Sequence, residues 1–272
     1  MKFTYLGTSS CEGIPALFCN CPRCEGARRL GGKNIRTRTQ ALINEDLLID
    51  LPPDTLHHFQ RNGIEGHKIK YLIITHSHKD HLCVEELQNR GPVRSVNIDV
   101  PVLEVYCTEG AYRKISAVKL HDDYVRVRQI AYFEPFLLGE YRITALPARH
   151  NPGDMAAIYL IEGEKSLLYA HDTGYFLEEV FDYLKNSGVR LDMVSYDSAC
   201  VERLFPDESH HMGIDQIRRI RKRLEAAGVT DDKTLHFMNH FAHGGQSLYE
   251  DLLQLVEHDG IEISYDGCAV EL

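Results

Sequence analysis

The sequence predicts an α/β protein of 272 residues, on three observations. Short apolar runs typical of buried strands alternate with amphipathic segments typical of helices. Strand signals concentrate in two groups, one in each half of the chain, and helical segments flank both groups. We find no linker and no tandem repeat of short period, and the length suffices for one large core. We therefore expect a single domain over residues 1–272, with two packed sheets between helices.

The first half of the chain is rich in predicted strands, which rest on short runs of apolar and β-branched residues. The helices that follow rest on an apolar periodicity near 3.6 residues. The predicted elements are strands near 2–6, 40–44, 47–50 and 71–75, a helix after 82, a strand near 101–106 and a helix near 109–118.

The second half repeats this alternation of strands and helices. Segment 123–147 is typical of strands and turns, and a glycine at 163 indicates a hairpin between strands at 155–162 and 166–170. The later predicted elements are a helix at 176–186, a strand at 191–197, a helix at 213–227, a strand at 234–239, a helix at 246–257 and a strand near 261–264.

Composition and charge exclude some classes of function. No apolar run approaches the ~20 residues of a membrane-spanning helix, and residues 1–7 have a strand pattern instead of a signal peptide. We therefore expect a cytoplasmic protein that does not enter a membrane. The formal net charge of −10 disfavours a long nucleic acid as partner, because nucleic-acid binders usually carry a basic face.

The most informative segment is residues 76–81, His-Ser-His-Lys-Asp-His, which directly follows the apolar run 71–75. Packing does not explain histidines at the end of a buried strand, whereas imidazole and carboxylate are preferred ligands of zinc and similar divalent ions. On an extended segment residues i and i+2 share a face, so His76 and His78 can bind one ion. Asp80 and His81 follow where the chain turns, and they can bind a second ion.

Further polar residues stand alone at the ends of predicted strands. His150 precedes a turn at 151–154, and Asp172 follows an apolar strand and precedes a glycine. His240 likewise ends the strand at 234–239, and Asp50 ends the strand at 47–50. These positions are well suited to metal ligation or to its support. His171 is less clear, because strand alternation directs it away from Asp172.

The string at 76–81 matches the HxHxDH motif of the metallo-β-lactamase superfamily, which the chain resembles from Gly7 to at least Gly244. The resemblance implies a four-layer αββα sandwich and an Asp50 that orients a ligand imidazole. Near Asp50, the segment 51–53 departs from the small residues usual in the family. The implied ligands are His76, His78 and His150 for one ion, Asp80, His81 and His240 for the other, and Asp172 between the two.

Two ions with a shared carboxylate activate water for hydrolysis and neutralise charge in the transition state. We expect zinc or manganese, with iron as a further candidate, since these ligands suit all three. Sites of this kind cleave β-lactams, thioesters, phosphodiesters and lactones, so the fold and the ions leave the substrate open.

Residues 209–216, Ser-His-His-Met-Gly-Ile-Asp-Gln, favour phosphodiesters. An imidazole at the start of a helix could donate a proton to a leaving oxygen. The segment resembles the His-Met-x-x-x-Gln element of the phosphodiesterase branch, which includes RNase Z-like enzymes and carbon–phosphorus lyase accessory phosphodiesterases. By this match His211 is the catalytic histidine, and we assign the catalytic role to His211 and Asp80. Whether His210 or His171 contributes is open.

An early loop at about 11–26 carries a C-x-C-x2-C cluster, which in a reducing compartment indicates zinc before a disulfide. Structural zinc needs a fourth ligand. The carbon–phosphorus lyase accessory phosphodiesterases join such a loop to a late histidine, which implies His243, and Cys11 is a rival. The implied structural zinc ligands are Cys19, Cys21, Cys24 and His243.

The sequence as a whole predicts a dinuclear metal-dependent hydrolase that cleaves small or cyclic phosphodiesters, of the 2′,3′-cyclic nucleotide or ribose cyclic phosphate type, through attack by metal-bound hydroxide. Its partner is a small-molecule phosphodiester substrate, and a homodimer is the default expectation. Three alternatives stay open: an RNase Z-like nuclease, although no extended basic arm is evident, a thioesterase or PqqB-like member of the same fold, and a non-catalytic zinc-binding protein.

Overall fold

The computed structural model describes residues 1–151, 153–201, 203–244 and 247–272. Within these residues the chain forms two sheets of seven strands each, flanked by helices. Among the described residues, no helix combines the length and the apolar character needed to span a bilayer.

The strands are short and largely buried. The first twelve are β1 (Lys2–Gly7), β2 (Gln40–Ile43), β3 (Leu47–Ile49), β4 (Tyr71–Ile74), β5 (Leu103–Cys107), β6 (Val125–Gln129), β7 (Pro135–Leu138), β8 (Tyr141–Pro147), β9 (Ala157–Glu162), β10 (Ser166–Ala170), β11 (Met193–Asp197) and β12 (Leu235–Asn239). The last two are β13 (Glu262–Ile263) and β14 (Cys268–Glu271).

The α-helices connect strands or precede the loops of the site. They are α1 (Pro22–Leu30), α2 (Thr55–Asn62), α3 (Val84–Leu87), α4 (Glu109–Ser116), α5 (Glu178–Ser187), α6 (Ile214–Ala226) and α7 (Tyr249–Val256).

The first sheet has the strand order β14-β1-β2-β3-β4-β5-β6, and the second has the order β13-β12-β11-β10-β9-β8-β7. One apolar core lies between the sheets and contains Tyr5, Tyr159 and Tyr169, each fully buried. A second core joins the outer face of the second sheet to α5, α6 and α7, and a third joins the first sheet to α3 and α4. The layers therefore run helix, sheet, sheet, helix, which confirms the predicted αββα sandwich.

Parallel pairing brings the strand ends together. In the first sheet β3, β4 and β5 are parallel, with Ile49 opposite Ile73. In the second sheet β10, β11 and β12 are parallel, with Asp197 opposite Asn239. Because the carboxyl ends of parallel strands meet at one edge of a sheet, each sheet presents several loops at one edge.

Most predicted elements are present with their ends shifted by up to three residues, but the helices α1 and α2 and the strand β14 were not predicted. Helix α2 was not predicted because its two buried residues, Thr55 and His58, are polar and give no apolar periodicity. Strand β14 is only four residues long, and it pairs with β1. The chain therefore returns to the first sheet at its end, which the division into two halves did not anticipate.

Helix α1 corrects the interpretation of residues 11–26 as a loop, because it begins at Pro22 and carries Cys24 in its first turn. Proline is favoured at this first helical position, where its missing N–H costs nothing. The helix predicted at 246–257 is observed as α7 from Tyr249, and residue 246 lies outside the described residues.

Candidate metal centre and active site

The candidate site lies where the ends of the parallel strands of both sheets meet. Asp50 follows β3 and His76 follows β4 by two residues. In the second sheet Asp172 follows β10, Asp197 ends β11 and His240 follows β12. The sandwich therefore brings residues from distant parts of the sequence to one edge of the molecule.

The three-imidazole site consists of His76, His78 and His150, whose candidate ligand atoms lie within 4.8 Å of one another. The Nε2 atom of His150 is 3.3 Å from Nδ1 of His78. Two nitrogens bound to one tetrahedral zinc at about 2.0–2.1 Å would lie roughly 3.3 Å apart. The spacing therefore suits a single ion.

The mixed site consists of Asp80, His81 and His240, which form a second such group. Asp172 lies between the two sites. Its Oδ2 atom is 2.8 Å from Nε2 of His81 and 2.9 Å from Nε2 of His240. Its Oδ1 atom is 3.6 Å from Nε2 of His150. One carboxylate thus faces both groups, as a bridging ligand would.

Several of these atoms are buried and form no hydrogen bond, namely Nε2 of His76, His81 and His240 and Oδ2 of Asp172. The close contacts of Oδ2 with His81 and His240 are ion-pair contacts without hydrogen-bond geometry. Buried polar atoms are normally paired, because an unpaired one costs about 1–3 kcal/mol. One divalent ion in each site, with Asp172 between the two, would satisfy all of them. The donor set therefore fits the two ions that the sequence predicts.

The charges around His240 also favour a cation. Burial acts to lower the pKa of this imidazole, but the carboxylates of Asp172 and Asp197 raise it to about 10. Conversely, against the effect of burial, the imidazoles of His240 and His81 hold the pKa of Asp172 well below its usual range. The buried carboxylates therefore require positive charge beside them, which a divalent ion would supply.

Three residues of the site have left-handed backbone conformations. The φ angles are +66° at Asp50, +49° at Asp172 and +60° at His240. Such angles are uncommon for residues other than glycine and cost of the order of 1–3 kcal/mol each. Each turns the chain sharply at a strand end and directs a side chain into the site.

Asp50 is fully buried and orients His81. Its Oδ2 atom accepts a hydrogen bond from Nδ1 of His81 at 2.7 Å, and its Oδ1 atom accepts one from the backbone N–H of Thr75 at 2.8 Å. The Nε2 atom of His81 is thereby directed to the mixed site. This is the supporting geometry that the sequence comparison implied for Asp50.

Asp197 was missed in the sequence. It is fully buried, and its Oδ2 atom accepts a hydrogen bond from Nδ1 of His211 at 2.9 Å and lies 3.2 Å from Nδ1 of His240. Its Oδ1 atom accepts hydrogen bonds from the backbone N–H groups of Ala199 and Met212. One carboxylate thus orients two imidazoles of the site. Its only signal in the sequence is its place at the end of an apolar strand.

His210 and His211 lie shortly before α6, which begins at Ile214, and have different surroundings. The ring centroid of His211 is 5.4 Å from that of His150 and 5.6 Å from that of His240. Burial acts to lower the pKa of His211, but Asp197 outweighs it and the pKa is raised. The side chain of His210 is exposed, and its backbone carbonyl lies 3.5 Å from Nδ1 of His150.

Gly174 allows the loop of Asp172 to approach the loop of His211. A Cβ atom at this position would lie 1.7 Å from the carbonyl oxygen of Ser209. Its backbone N–H also donates to the carbonyl of Arg149 at 2.9 Å. Only glycine permits this approach, which holds together the loops that carry Asp172, His150 and His211.

Among the described residues, the groups of candidate metal ligands do not include His171. It is fully buried, and its Nε2 atom lies 2.7 Å from Oγ of Ser195, which also accepts a hydrogen bond from the hydroxyl of Tyr5. His171 therefore belongs to a polar network between the sheets.

The predicted thiol cluster is assembled by the fold. The candidate ligand atoms of Cys19, Cys21, Cys24 and His243 lie within 4.8 Å of one another. Nδ1 of His243 is 4.0 Å from the sulfur of Cys21 and 3.9 Å from that of Cys24, near the roughly 3.6–3.8 Å edge of a tetrahedral zinc site. Cys11 lies outside this group.

A cavity of about 670 Å³ lies over the site. Its walls include His78, Asp80 and His150 from the two groups, His211, and His243 from the thiol cluster. Phe205 adds an aromatic surface and Arg203 a positive charge. The cavity therefore borders both groups of candidate metal ligands and His211, and it reaches the thiol cluster at His243.

Comparison with known proteins places the chain in a family. The model of the beta-lactamase superfamily domain matches residues 46–230, more than half of the chain. A ribonuclease Z from Picosynechococcus is 28% identical over 160 residues, which are 56% of this chain and 44% of that protein. The chain spans less than half the length of the curated relatives it matches, at 44% and 45%.

Solved structures share the whole fold. A diphosphatase from the PhnP family has a TM-score of 0.76 and 21% identity, over 100% of this chain and 97% of that one. The zinc-bound PqqB from Methylobacterium extorquens has a TM-score of 0.70 and 17% identity, over 100% of both chains. At these identities the likeness shows the fold, and the named relatives support the predicted class of metal-dependent hydrolases. As the HxHxDH motif predicted, the chain belongs to the beta-lactamase superfamily.

Proposed function

We propose that this protein is a dinuclear metal-dependent phosphodiesterase that cleaves small or cyclic phosphodiesters, with 2′,3′-cyclic nucleotides and ribose cyclic phosphates as the preferred class. The observation that carries the proposal is the His211–Asp197 hydrogen bond of 2.9 Å beside two groups of metal-ligating residues in one cavity. It supplies a proton donor where a leaving oxygen would need one.

The three-imidazole site would hold one ion and the mixed site the other, with Asp172 shared between them. When bound, such a pair of ions supplies activated water and neutralises the nonbridging phosphoryl oxygens. We propose zinc or manganese as the ions, with iron as a further candidate, because imidazole and carboxylate accept all three.

The residues of the chain itself perform orientation and proton transfer. The Nδ1–H group of His211 donates to Asp197, so the opposite ring nitrogen, Nε2, faces away from that carboxylate. The raised pKa keeps the imidazole protonated nearer neutral pH. As the bond between phosphorus and the leaving oxygen breaks, Nε2 of His211 gives its proton to that oxygen. Asp80 completes the mixed site beside it.

The size of the cavity supports a small substrate. Its volume of about 670 Å³ falls within the roughly 300–1,000 Å³ typical of small-molecule sites. The net charge of −10 disfavours a long nucleic acid, whose binding depends on Lys and Arg.

One second candidate has specific support, namely an RNase Z-like nuclease, because a ribonuclease Z is a relative of this chain. The PhnP-family relative is named as a diphosphatase, so the phosphoanhydride bond is a further substrate to test. The PqqB-like alternative is supported by a shared fold alone.

We also propose a structural zinc ion at Cys19, Cys21, Cys24 and His243. Burial acts to raise the pKa of the Cys21 thiol, but the N–H of Cys24 and the imidazole of His243 lower it to about 6. A thiolate is the form that binds zinc. The ion would fasten residues 19–24 to the strand end that carries His240, within a single domain. A cytoplasmic location and a homodimer complete the proposal.

The test is hydrolysis of a 2′,3′-cyclic nucleotide and of bis(p-nitrophenyl) phosphate by metal-loaded protein. A thioester, a lactone, a nucleoside diphosphate and a single-stranded RNA serve as competing substrates. We expect turnover of both phosphodiesters, with the cyclic nucleotide preferred to the RNA. Turnover of only the thioester or the lactone, with both ions bound, would contradict the proposal.

Leaving groups make this test sharper. p-Nitrophenolate leaves as a stable anion without a proton, whereas the alkoxide of a cyclic nucleotide requires one. His211→Ala should therefore slow hydrolysis of the cyclic nucleotide by about 10²–10⁴-fold and hydrolysis of the nitrophenyl ester much less. His210→Ala, which removes an exposed ring from the adjacent position, is the matched control and should retain both rates.

A further inference from the structure

Ser77 lies between two residues of the three-imidazole site, His76 and His78, and is held by side chains from two other segments. Oδ2 of Asp154 accepts hydrogen bonds from the backbone N–H of Ser77 at 2.9 Å and from its hydroxyl at 2.5 Å. On the other side, Nζ of Lys114 donates to the carbonyl of Ser77 at 2.9 Å. Every polar group of Ser77 therefore has a partner.

Asp154 belongs to the same loop as His150, the third imidazole of this site. A hydrogen bond from the N–H of Ala148 to the carbonyl of Ala156, at 2.9 Å, joins the two ends of the loop. Within the loop, the N–H of Asp154 donates to the carbonyl of Asn151 at 3.1 Å. One loop thus supplies one imidazole of the site and also binds the backbone between the other two imidazoles, His76 and His78. Asp154 therefore links the loop of His150 to the backbone that carries His76 and His78.

The other oxygen of Asp154 faces helix α4. Its Oδ1 atom is buried and has no hydrogen-bond partner. It lies against Gly110, where an added Cβ atom would be 1.9 Å away. Gly110 is the second residue of α4, and a negative charge is favourable near the N-terminus of a helix. The absence of a side chain at Gly110 therefore allows Asp154 to reach Ser77.

We infer that Asp154 is a positioning residue that sets the spacing of His76 and His78 relative to His150, and thereby the affinity of the three-imidazole site for its ion. The inference rests on the proposed function, because it assumes that the site binds a metal. Supporting carboxylates of metal ligands typically change metal affinity by about 10–100-fold when removed.

The test is titration of the metal-free full-length protein with Co²⁺ in competition with a chelator, followed by visible absorption. Asp154→Ala should weaken one binding step by about 10–100-fold and change the absorption of the ion bound in that step. The other active-site step and the thiol cluster, which absorbs through its thiolates, should retain their affinities. Asp154→Asn keeps an oxygen acceptor for Ser77 and should restore part of the affinity.

Two further variants keep the inference testable if Asp154→Ala folds poorly. Gly110→Ala removes no polar group and would ordinarily favour a helix, yet its Cβ must displace Asp154, so it should weaken the same step. Asp182→Ala removes an exposed carboxylate from α5 and should bind cobalt as the wild type does.

The inference is overturned if Asp154→Ala and Gly110→Ala bind every ion with wild-type affinity. It is also overturned if all steps weaken together and the metal-free variant unfolds at a lower temperature, because that result indicates general destabilisation. Wild type that binds its ions and fails on phosphodiesters would contradict the proposed function while leaving the assignment of Asp154 intact.

Discussion

Replacement of Asp197 by asparagine should weaken both metal binding by His240 and proton donation by His211, because one carboxylate oxygen, Oδ2, faces both imidazoles. In the wild type, Oδ1 accepts the N–H groups of Ala199 at 3.0 Å and Met212 at 3.2 Å. Oδ2 lies 2.9 Å from Nδ1 of His211 and 3.2 Å from Nδ1 of His240. In the variant, the amide oxygen must remain with the two backbone donors, so the amide NH₂ faces both imidazoles.

The consequence follows from the tautomers. Nδ1 of His240 then faces a donor in place of a carboxylate oxygen, which favours the proton on Nε2, the atom that would bind the ion of the mixed site. Loss of such an orienting carboxylate typically weakens metal binding by about 10–100-fold, or roughly 1.4–2.7 kcal/mol. His211 loses the charge that raises its pKa, so turnover of a cyclic nucleotide should fall by up to about 10²–10⁴-fold even with saturating metal.

The assay combines chelator-competition titration with turnover at saturating metal. Asp197→Asn should weaken one metal step and lower kcat, whereas His211→Ala should lower kcat alone. Asp215→Asn removes an exposed charge from α6 and controls for the change in net charge. Wild-type metal affinity together with wild-type kcat in Asp197→Asn would refute the role of this carboxylate.

Three further predictions concern the metals and pH. When each ion is present at about 1,000 times its Kd, removal of both active-site ions should lower the free energy of unfolding by about 8 kcal/mol. The unfolding temperature in calorimetry should then fall by roughly 10–15 °C, and an unchanged temperature would contradict the ligand set. His243→Ala should lose one equivalent of zinc in elemental analysis, while Cys11→Ser should keep it; the reverse result would assign Cys11 as the fourth ligand. Burial lowers the pKa of His58 to about 4, with Asp54 opposing and Arg61 adding to the shift. Between pH 6.5 and 4 the unfolded chain then binds more protons than the folded one. As the pH is lowered to 4.5, the free energy of unfolding should therefore decrease by about 2.5 kcal/mol more in the wild type than in His58→Gln. An equal decrease in both proteins, measured by urea unfolding at each pH, would exclude this.

The ligands could be predicted because their chemistry conflicts with their surroundings. Histidines and aspartates directly after apolar strands, such as His76 and Asp172, are hard to explain by packing. Parallel strands bring such strand ends together, so the sequence pattern and the fold agree. The thiol cluster was predictable for the same reason, because its three cysteines lie within six residues of each other.

The supporting residues were not predictable in this way. Asp197 and Asp154 act through partners 14 and 77 positions away in the chain, and neither belongs to a recognisable motif. Helix α2 was hidden because it buries polar side chains, including His58. Contacts of this kind depend on how loops pack against each other, which local periodicity does not encode.

The most direct test of the proposed function is turnover of a 2′,3′-cyclic nucleotide measured against equivalents of bound metal. We expect the metal-free protein to be inactive and turnover to rise as both active-site ions bind, with His211→Ala binding the same ions and remaining slow. Full occupancy of both sites without phosphodiester turnover would contradict the assignment of this centre as a phosphodiesterase.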